Sequence, residues 1–215
     1  MRDENRYAVY DGFACYFDRY WGRSFFDDLR PVVEQCFLPL LPANGAVLDL
    51  CCGSGRLSHW LTVCGFEVSG VDGSEEMVRL ARKNAPRASF QVADVRRFRQ
   101  PESFDGVLCT FDSLNHLASG DDLLTVFQNV AQSLRPAGLF FFDMNLDEGF
   151  RASAPETSSI VAEDHACITE SVYDSRSRRG CSTITLFRLE DGNLRRTNVE
   201  VWEYYYPKEQ IVAAL

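Results

Sequence analysis

The fold of this chain is decided by the stretch Val47-Leu48-Asp49-Leu50-Cys51-Cys52-Gly53-Ser54-Gly55-Arg56-Leu57-Ser58. Residues 47–50 are typical of a buried strand, and the apolar residues that follow from Leu57 recur at helical spacing. Gly53 and Gly55 therefore lie at a strand-to-helix turn, where glycine lets the backbone turn tightly and approach a ligand closely. The N-terminus of the following helix favours an anion such as a carboxylate or phosphate.

The same stretch argues against two other nucleotide-binding patterns. A phosphate-binding loop would need Gly-Lys-Ser/Thr, and the turn contains no lysine. The dinucleotide pattern Gly-x-Gly-x-x-Gly fails because Ser58 occupies the place of its third glycine. Taken alone, a Gly-x-Gly turn after a strand is found in many nucleotide-binding folds and also in ordinary tight turns, so both interpretations stay open.

Length and composition favour one acidic α/β domain that carries an insertion. The 215 residues are 46% hydrophobic, and a net charge of −9 argues against a surface that binds nucleic acid. The eight cysteines are scattered without a Cys-x-x-Cys pair, which indicates reduced thiols in a cytoplasmic protein. No apolar run is long enough to span a membrane. The histidines, His59, His116 and His165, lack metal-ligand spacing, and we predict no metal site.

Strand and helix patterns alternate after the glycine turn. Strands are expected at residues 47–50, 66–71, 89–92, 104–109 and 139–143, with helices between them, one of which covers residues 121–134. This alternation predicts an α/β fold with a doubly wound, Rossmann-like, mostly parallel sheet, which binds its ligand at the carboxyl ends of the strands. Three acidic residues end or follow those strands: Asp72, Asp94 and Asp112.

The two flanking regions differ in character. Residues 7–36 are rich in aromatic side chains at helical spacing, and we expect two helices whose rings mostly pack on the sheet. Tyr10, Tyr16 and Tyr20 are candidates for turning a hydroxyl toward a pocket. From Ile160 the period changes to two, so about three antiparallel strands (residues 161–173, 181–189 and 194–206) are predicted as an insertion after the fifth parallel strand. Either they roof the substrate site or they serve packing or dimerisation.

These patterns divide the chain into three parts. Residues 1–147 form the cofactor-binding core with its aromatic N-terminal helices, and residues 148–206 form the inserted strands. Residues 207–215 begin a helix that stops without a cap, which we interpret as the start of a truncated helix. The fifth strand would then be an apolar edge, covered either by a second copy in a homodimer or by the inserted strands.

With these residues assembled, the chain resembles the class I S-adenosylmethionine-dependent methyltransferases, in particular small bacterial-type members of mostly unassigned substrate. The resemblance runs from about Phe13 to Asp143 and more loosely to Tyr206. Residues 49–56 look like the first motif of that family, Asp-x-Gly-x-Gly-x-Gly, with Cys51 in place of the first glycine.

The resemblance implies roles for individual residues. Asp72 would accept both ribose hydroxyls, Asp94 would accept the adenine amino group beside the Val95 N–H, and Met77 would pack against the adenine. Phe111 would border the methionine portion, whose carboxylate has Arg56 and Tyr16 as candidate partners. The implied cofactor site comprises Tyr16, Asp49, Cys51, Cys52, Gly53, Gly55, Arg56, Asp72, Gly73, Met77, Asp94, Val95 and Phe111.

The segment after the fourth strand, residues 111–117, supplies the candidates for chemistry. His116 either deprotonates the attacking atom or caps a short helix, and Asn115, Tyr10 and Tyr20 are candidate contacts to the methyl acceptor. We therefore expect methyl transfer from S-adenosylmethionine to an N or O atom of a small molecule. The alternatives are a nicotinamide-dependent oxidoreductase and a regulatory protein that binds the cofactor without turnover.

Overall fold

The structure is a computed structural model and describes residues 7–215. It divides into two compact units, the first with residues 7–114, 121–144 and 215, the second with residues 115–120 and 145–214. None of the helices in the described part combines the length and apolar character that a membrane span requires.

A parallel sheet of five strands forms the first unit and confirms the predicted fold class. The strands are β1 (Ala46–Leu50), β2 (Glu67–Asp72), β3 (Ser89–Val92), β4 (Phe104–Cys109) and β5 (Leu134–Phe142). Their order is β3-β2-β1-β4-β5, so β1 and β4 lie side by side where the chain reverses its direction of winding. In such sheets the ligand lies at this switch point, beyond the carboxyl ends of the strands.

Three helices connect these strands: α3 (Arg56–Val63), α4 (Glu75–Asn84) and α5 (Gly120–Ser133). Ser74 caps α4 by accepting a hydrogen bond from the Met77 N–H at 3.1 Å. The central strands are buried on both faces, with Val47 and Leu108 inaccessible to solvent, as expected for a parallel sheet covered by helices.

The last strand, β5, begins earlier than expected. Leu134 already pairs with Phe104, and the register then shifts before Leu139 pairs with Gly106. Residues 135–138, which separate the expected helix (121–134) from the expected strand (139–143), therefore lie within the bounds of β5, where Ala137 has a φ of 66°. Among the described residues β5 pairs with β4 alone, so it is an edge strand.

The aromatic N-terminal region is helical but irregular. A 3₁₀ turn (Ala8–Tyr10) and α1 (Ala14–Tyr16) lead into a π-helical segment (Phe17–Trp21), which continues directly into α2 (Gly22–Cys36). A π-helical turn has more residues per turn than an α-helix, so the side chains that follow are rotated relative to the 3.6-residue pattern.

The second unit contains an antiparallel sheet of four strands, where about three were expected. The strands are β6 (Glu156–Val161), β7 (His165–Asp174), β8 (Arg179–Glu190) and β9 (Asn193–Tyr204), in that order across the sheet. The additional strand is β6, which precedes the first predicted segment (residues 161–173). A tight turn in which the Ala162 N–H donates to the His165 carbonyl at 2.9 Å connects β6 to β7. The unit also contains α6 (Asp147–Ala152) and α7 (Lys208–Ala214).

Candidate cofactor site

The glycine turn after β1 has the backbone conformation that its sequence predicts. Cys51, Gly53 and Gly55 have φ values of 61°, 50° and 78°, a region that disfavours side chains. A Cβ on Gly55 would lie 2.9 Å from both Cα and Cβ of Ala81 in α4. A Cβ on Gly53 would meet only the Phe17 ring within 4 Å, at 3.8 Å. Gly55 therefore permits close packing of α4, whereas Gly53 keeps the turn open.

The Asp72 carboxylate joins the end of β2 to this turn. Its Oδ2 accepts a hydrogen bond from the Gly53 N–H at 2.9 Å, and its Oδ1 accepts one from the Ser74 N–H at 2.9 Å. Because an ionised carboxylate offers about four lone-pair positions, two such bonds fix its orientation and leave capacity for further donors.

Asp49, on β1, is buried below the turn. Its side chain is 2% exposed, and Oδ2 accepts a hydrogen bond from the Ser58 hydroxyl at 2.5 Å. Burial raises the pKa of Asp49 to about 7, with a further upward contribution from the charge of Asp72, while the Ser58 hydroxyl acts in the opposite direction. Ser58, which replaces the third glycine of the dinucleotide pattern, therefore holds the carboxyl of the first motif.

Asp94, which follows β3, has partners within the protein. Arg96 donates to both carboxylate oxygens, and the Tyr7 hydroxyl donates to Oδ1 at 3.2 Å. Burial, the largest single contribution, raises the pKa of Asp94, but the hydrogen bonds and charge of Arg96 together with the Tyr7 hydrogen bond outweigh it and hold the pKa below its usual range. The Tyr7 ring also lies against Gly73, where a Cβ would be 2.5 Å from its Cγ. Tyr7 therefore covers two residues of the implied site.

Phe17 and Asp18, in the π-helical segment, connect the N-terminal region to the turn. Asp18 Oδ1 accepts hydrogen bonds from the Ser54 hydroxyl at 2.6 Å and from Arg56 Nε at 2.7 Å. Arg56 Nη2 also donates to the Asp18 carbonyl at 2.8 Å. Two groups of the Arg56 guanidinium thus hold the segment that places Phe17 against Gly53.

Aromatic rings line the end of β4. Phe111 stacks on Phe25 with ring centroids 4.1 Å apart and lies 5.4 Å from the Phe17 ring. Phe111 and Asp112 both have positive φ values, 60° and 43°, which marks a strained turn directly after the strand. Strain of this kind is often found at functional sites.

Met77, Val95 and Cys52 lie in the interior of the first unit. Met77 packs with Ala14 and Leu80, next to the rings of Tyr10 and Phe17. Val95 is 6% exposed, and the Cys52 N–H donates to the Val71 carbonyl at 3.0 Å. These residues therefore support the floor of the site.

Two candidate residues belong to the second unit and have structural partners there. The Asn115 side chain donates to the carbonyls of Asn145 and Tyr204 at 3.1 and 2.9 Å, and its oxygen accepts from the Asn145 N–H at 2.9 Å. His116 Nδ1 lies 2.9 Å from the Trp202 carbonyl, which can only accept, so Nδ1 carries the proton. Their roles toward a methyl acceptor remain predictions.

The first unit thus brings together the glycine turn, Asp49, Asp72, Asp94 and Phe111 at the carboxyl ends of its strands. Tyr16 and Tyr20 lie half-buried in the N-terminal region. Sequence reasoning missed Tyr7, Phe17 and Asp18. For Asp18 the sequence contained one indication of a functional role, because it is an acidic residue among aromatic ones.

Known proteins with similar sequences share this region. A methyltransferase-domain family model matches residues 47–138. The glycine/sarcosine N-methyltransferase of Aphanothece halophytica is 35% identical over 131 residues, 55% of this chain and 49% of the relative. A dTDP-3-amino-3,4,6-trideoxy-alpha-D-glucopyranose N,N-dimethyltransferase from Streptomyces venezuelae is 32% identical over 99 residues, 46% of this chain and 41% of the relative. The chain spans about half the length of the curated relatives it matches.

Solved structures extend the similarity of the fold over most of the chain. A crystal structure of an S-adenosylmethionine-dependent methyltransferase from Clostridium acetobutylicum has a TM-score of 0.77 at 23% identity, with 96% of this chain and 85% of that chain covered. This likeness agrees with four observations on this chain: the sheet order, the glycine turn, the strand-terminal acids and the matched family model. Residues 47–138 thus match a methyltransferase-domain family model, and the chain has the fold of a solved S-adenosylmethionine-dependent methyltransferase.

Proposed function

We propose that this chain transfers a methyl group from S-adenosylmethionine to an N or O atom of a small molecule. The observation that carries the proposal is Asp72, whose two oxygens are fixed by the Gly53 and Ser74 N–H groups beside the open turn. A carboxylate held in this way is suited to a pair of ribose hydroxyls. Relatives that are named as amino-sugar N-methyltransferases and as an O-methyltransferase support both acceptor atoms.

The residues present fit this cofactor by their chemistry. The accepting groups at the strand ends are carboxylates, and the cofactor offers donors to them in its ribose hydroxyls, adenine amino group and ammonium group. The turn keeps room at Gly53, where a Cβ would meet only the Phe17 ring within 4 Å. S-adenosylmethionine supplies, when bound, a methyl group on a positively charged sulfur, which a carboxylate such as that of Asp72 stabilises.

In this proposal the protein acts mainly by positioning. Asp72 and the glycine turn orient the cofactor, while Phe17 and Phe111 exclude water from the methionine end. Alignment of reacting atoms supplies a large part of the rate enhancement in such transfers. His116, with its proton on Nδ1, would have the basic lone pair on Nε2 and is our candidate base.

Calorimetric titration with S-adenosylmethionine, NAD and ATP tests the cofactor. Binding of S-adenosylmethionine alone is expected, and binding of NAD alone would favour the oxidoreductase. Formation of S-adenosylhomocysteine with small-molecule acceptors then separates an enzyme from a binding protein. A cytoplasmic location remains a prediction.

We further propose that a second copy of the chain covers the β5 edge. The open hydrogen-bonding edge and apolar residues of β5 make strand pairing across a twofold axis favourable. Light scattering is expected to report a dimer, and a monomer would contradict this proposal.

A further inference from the structure

The Asp143 carboxylate, directly after β5, has one buried oxygen that no described residue satisfies. Its Oδ2 accepts a hydrogen bond from the Asp112 N–H at 2.9 Å. Its Oδ1 is buried and receives no hydrogen bond from residues 7–215. Because an unsatisfied buried acceptor is costly and rare in folded proteins, this oxygen requires an explanation.

The surroundings of Asp143 fix the direction of this oxygen. The Asp143 N–H donates to the Cys109 carbonyl at 3.4 Å, which ties its backbone to β4. Its Oδ2 is held by the strained turn at Phe111 and Asp112, and the Phe111 ring is in turn stacked on Phe25. Rotation of the carboxylate would break the bond to Asp112, so one carboxylate oxygen is left without a donor among the described residues. Because Oδ1 is buried, a ligand reaches it only when the side chains that cover it move aside.

The position of Asp143 in the sheet indicates which ligand would supply that donor. The proposed cofactor contacts, namely the glycine turn, Asp72 and Asp94, are at the ends of β1, β2 and β3. Asp143 follows β5, on the other side of the β1–β4 switch point. Because Phe111, after β4, is assigned to the methionine end of the cofactor, the end of β5 is left for the second reactant.

Charge further restricts the chemistry of that reactant. Burial raises the pKa of the Asp143 carboxyl above its usual range, although hydrogen bonds from the Asp112 and Phe111 N–H groups act in the opposite direction. Asp112, which follows β4, adds a second carboxylate near this end of the sheet. A cationic donor is favoured here, and an anionic group is repelled.

We propose that Asp143 Oδ1 binds the nitrogen of the methyl acceptor and takes its proton, so that the acceptor is an amine that arrives as an ammonium ion. The inference rests on the proposed function, narrows its N or O atom to nitrogen, and assigns to Asp143 the proton that His116 would otherwise take. Loss of turnover in Asp143→Asn and not in His116→Asn is the result that separates the two assignments. One proton passes from the ammonium to Oδ1. The released lone pair forms the bond to the methyl carbon, and the carbon–sulfur electron pair stays on sulfur. The proton then leaves Asp143 for water.

A test that does not depend on turnover uses carbon-13 NMR of aspartate-labelled protein. The Asp143 carboxyl resonance is identified by its loss in Asp143→Asn. Methylammonium chloride is then titrated into the S-adenosylhomocysteine complex, with tetramethylammonium chloride as a cation without N–H groups. We expect the Asp143 resonance to move with methylammonium at lower concentration than with tetramethylammonium. An unmoved resonance, or equal shifts with both salts, would overturn the proposal.

The same experiment distinguishes a failure of the Asp143 proposal from a failure of the proposed methyltransferase function. Calorimetry first records whether S-adenosylhomocysteine binds. If S-adenosylhomocysteine does not bind, the proposed function fails. The two ammonium salts are then titrated into the protein alone, and the shift of the Asp143 resonance is measured in the same way.

Turnover provides the second test, with matched acceptors and a matched variant. Glucosamine and glucose differ by one amino group, as do glycine and glycolate. Asp143→Asn should lower kcat/KM with the amines by about 100-fold or more, the usual contribution of a general base, while S-adenosylhomocysteine affinity stays. The control is Asp105→Asn, because Asp105 also accepts a backbone N–H, from Ala46 at 2.8 Å. Turnover with the hydroxyl compounds alone, or an unchanged rate in Asp143→Asn, would contradict the proposal.

Discussion

The Asp72 carboxylate accepts a hydrogen bond from the Gly53 N–H at 2.9 Å, which makes the end of β2 and the glycine turn one unit. A residue from one strand thus fixes the loop after its neighbour. The sequence places Asp72 and Gly53 nineteen positions apart, and parallel pairing of β1 with β2 brings them together.

The first prediction concerns Asp72. We expect Asp72→Ala to lower the affinity for S-adenosylmethionine by about 1.5–3 kcal/mol, the usual range for hydrogen bonds to a charged group. The free energy of unfolding should fall as well, because the Gly53 and Ser74 N–H groups lose their acceptor. Calorimetric titration and denaturant unfolding measure the two effects. Unchanged affinity in a folded variant would show that Asp72 does not bind the cofactor.

A second prediction separates backbone strain from crowding at the turn. Gly55 and Gly192 have nearly equal φ values, 78° and 76°, but a Cβ on Gly192 would meet nothing within 4 Å. Gly192→Ala should therefore lower the free energy of unfolding by about 1–2 kcal/mol from strain alone. Gly55→Ala adds the clash with Ala81, a further loss of about 1–3 kcal/mol. Equal losses in denaturant unfolding would mean that α4 moves aside.

The third prediction uses the raised pKa of Asp49, about 7. Between pH 4 and 7 this carboxyl is protonated in the folded chain and ionised in the unfolded chain, so its contribution to stability falls as pH rises. Asp49→Asn has no such titration. Relative to the wild type it should gain about 4 kcal/mol of unfolding free energy from pH 4 to pH 7, from a shift of about three pKa units. A constant difference between the two proteins across this range would contradict the raised pKa.

The strand order and the glycine turn follow from local patterns, which is why the sequence predicts them. Buried parallel strands are short apolar runs, and Gly53 and Gly55 mark where one ends. The four-stranded insertion was undercounted because β6 (Glu156–Val161) begins with four polar residues and lacks the alternating apolar pattern that indicates a strand.

Local sequence patterns could not predict which side chains far apart in the sequence contact each other. Phe17 was one of many aromatic residues, and a π-helical segment shifts the helical pattern that would have placed it. The contact of Tyr7 with Asp94 spans 87 residues. For Asp143, the sequence shows an acid after a strand, and only the structure shows that one of its oxygens is buried without a donor among the described residues.

A fourth prediction distinguishes the two interpretations of His116. As a base, it needs Nε2 for proton transfer, and the Trp202 carbonyl orients the ring through Nδ1. Asparagine can reproduce the Nδ1–H donor but has no basic nitrogen. His116→Asn should therefore lower turnover and leave the affinity for S-adenosylmethionine and the thermal stability unchanged. If turnover survives and the melting temperature falls, His116 is a structural residue.

The last prediction concerns the ion pair between Asp18 and Arg56, whose side chains are 19% and 33% exposed. Arg56 was a candidate partner for the cofactor carboxylate, but it donates to the side chain and to the carbonyl of Asp18. If Arg56 acts through this clamp, Asp18→Asn and Arg56→Gln should each weaken S-adenosylmethionine binding to a similar extent, and the double variant should add little. Each should lower the free energy of unfolding by about 1.5–3 kcal/mol. The control is Arg30→Gln, which removes an exposed pair with Glu34 that is expected to contribute about 0.3–0.5 kcal/mol. Arg56→Gln weakening the binding much more than Asp18→Asn would instead assign Arg56 to the cofactor itself.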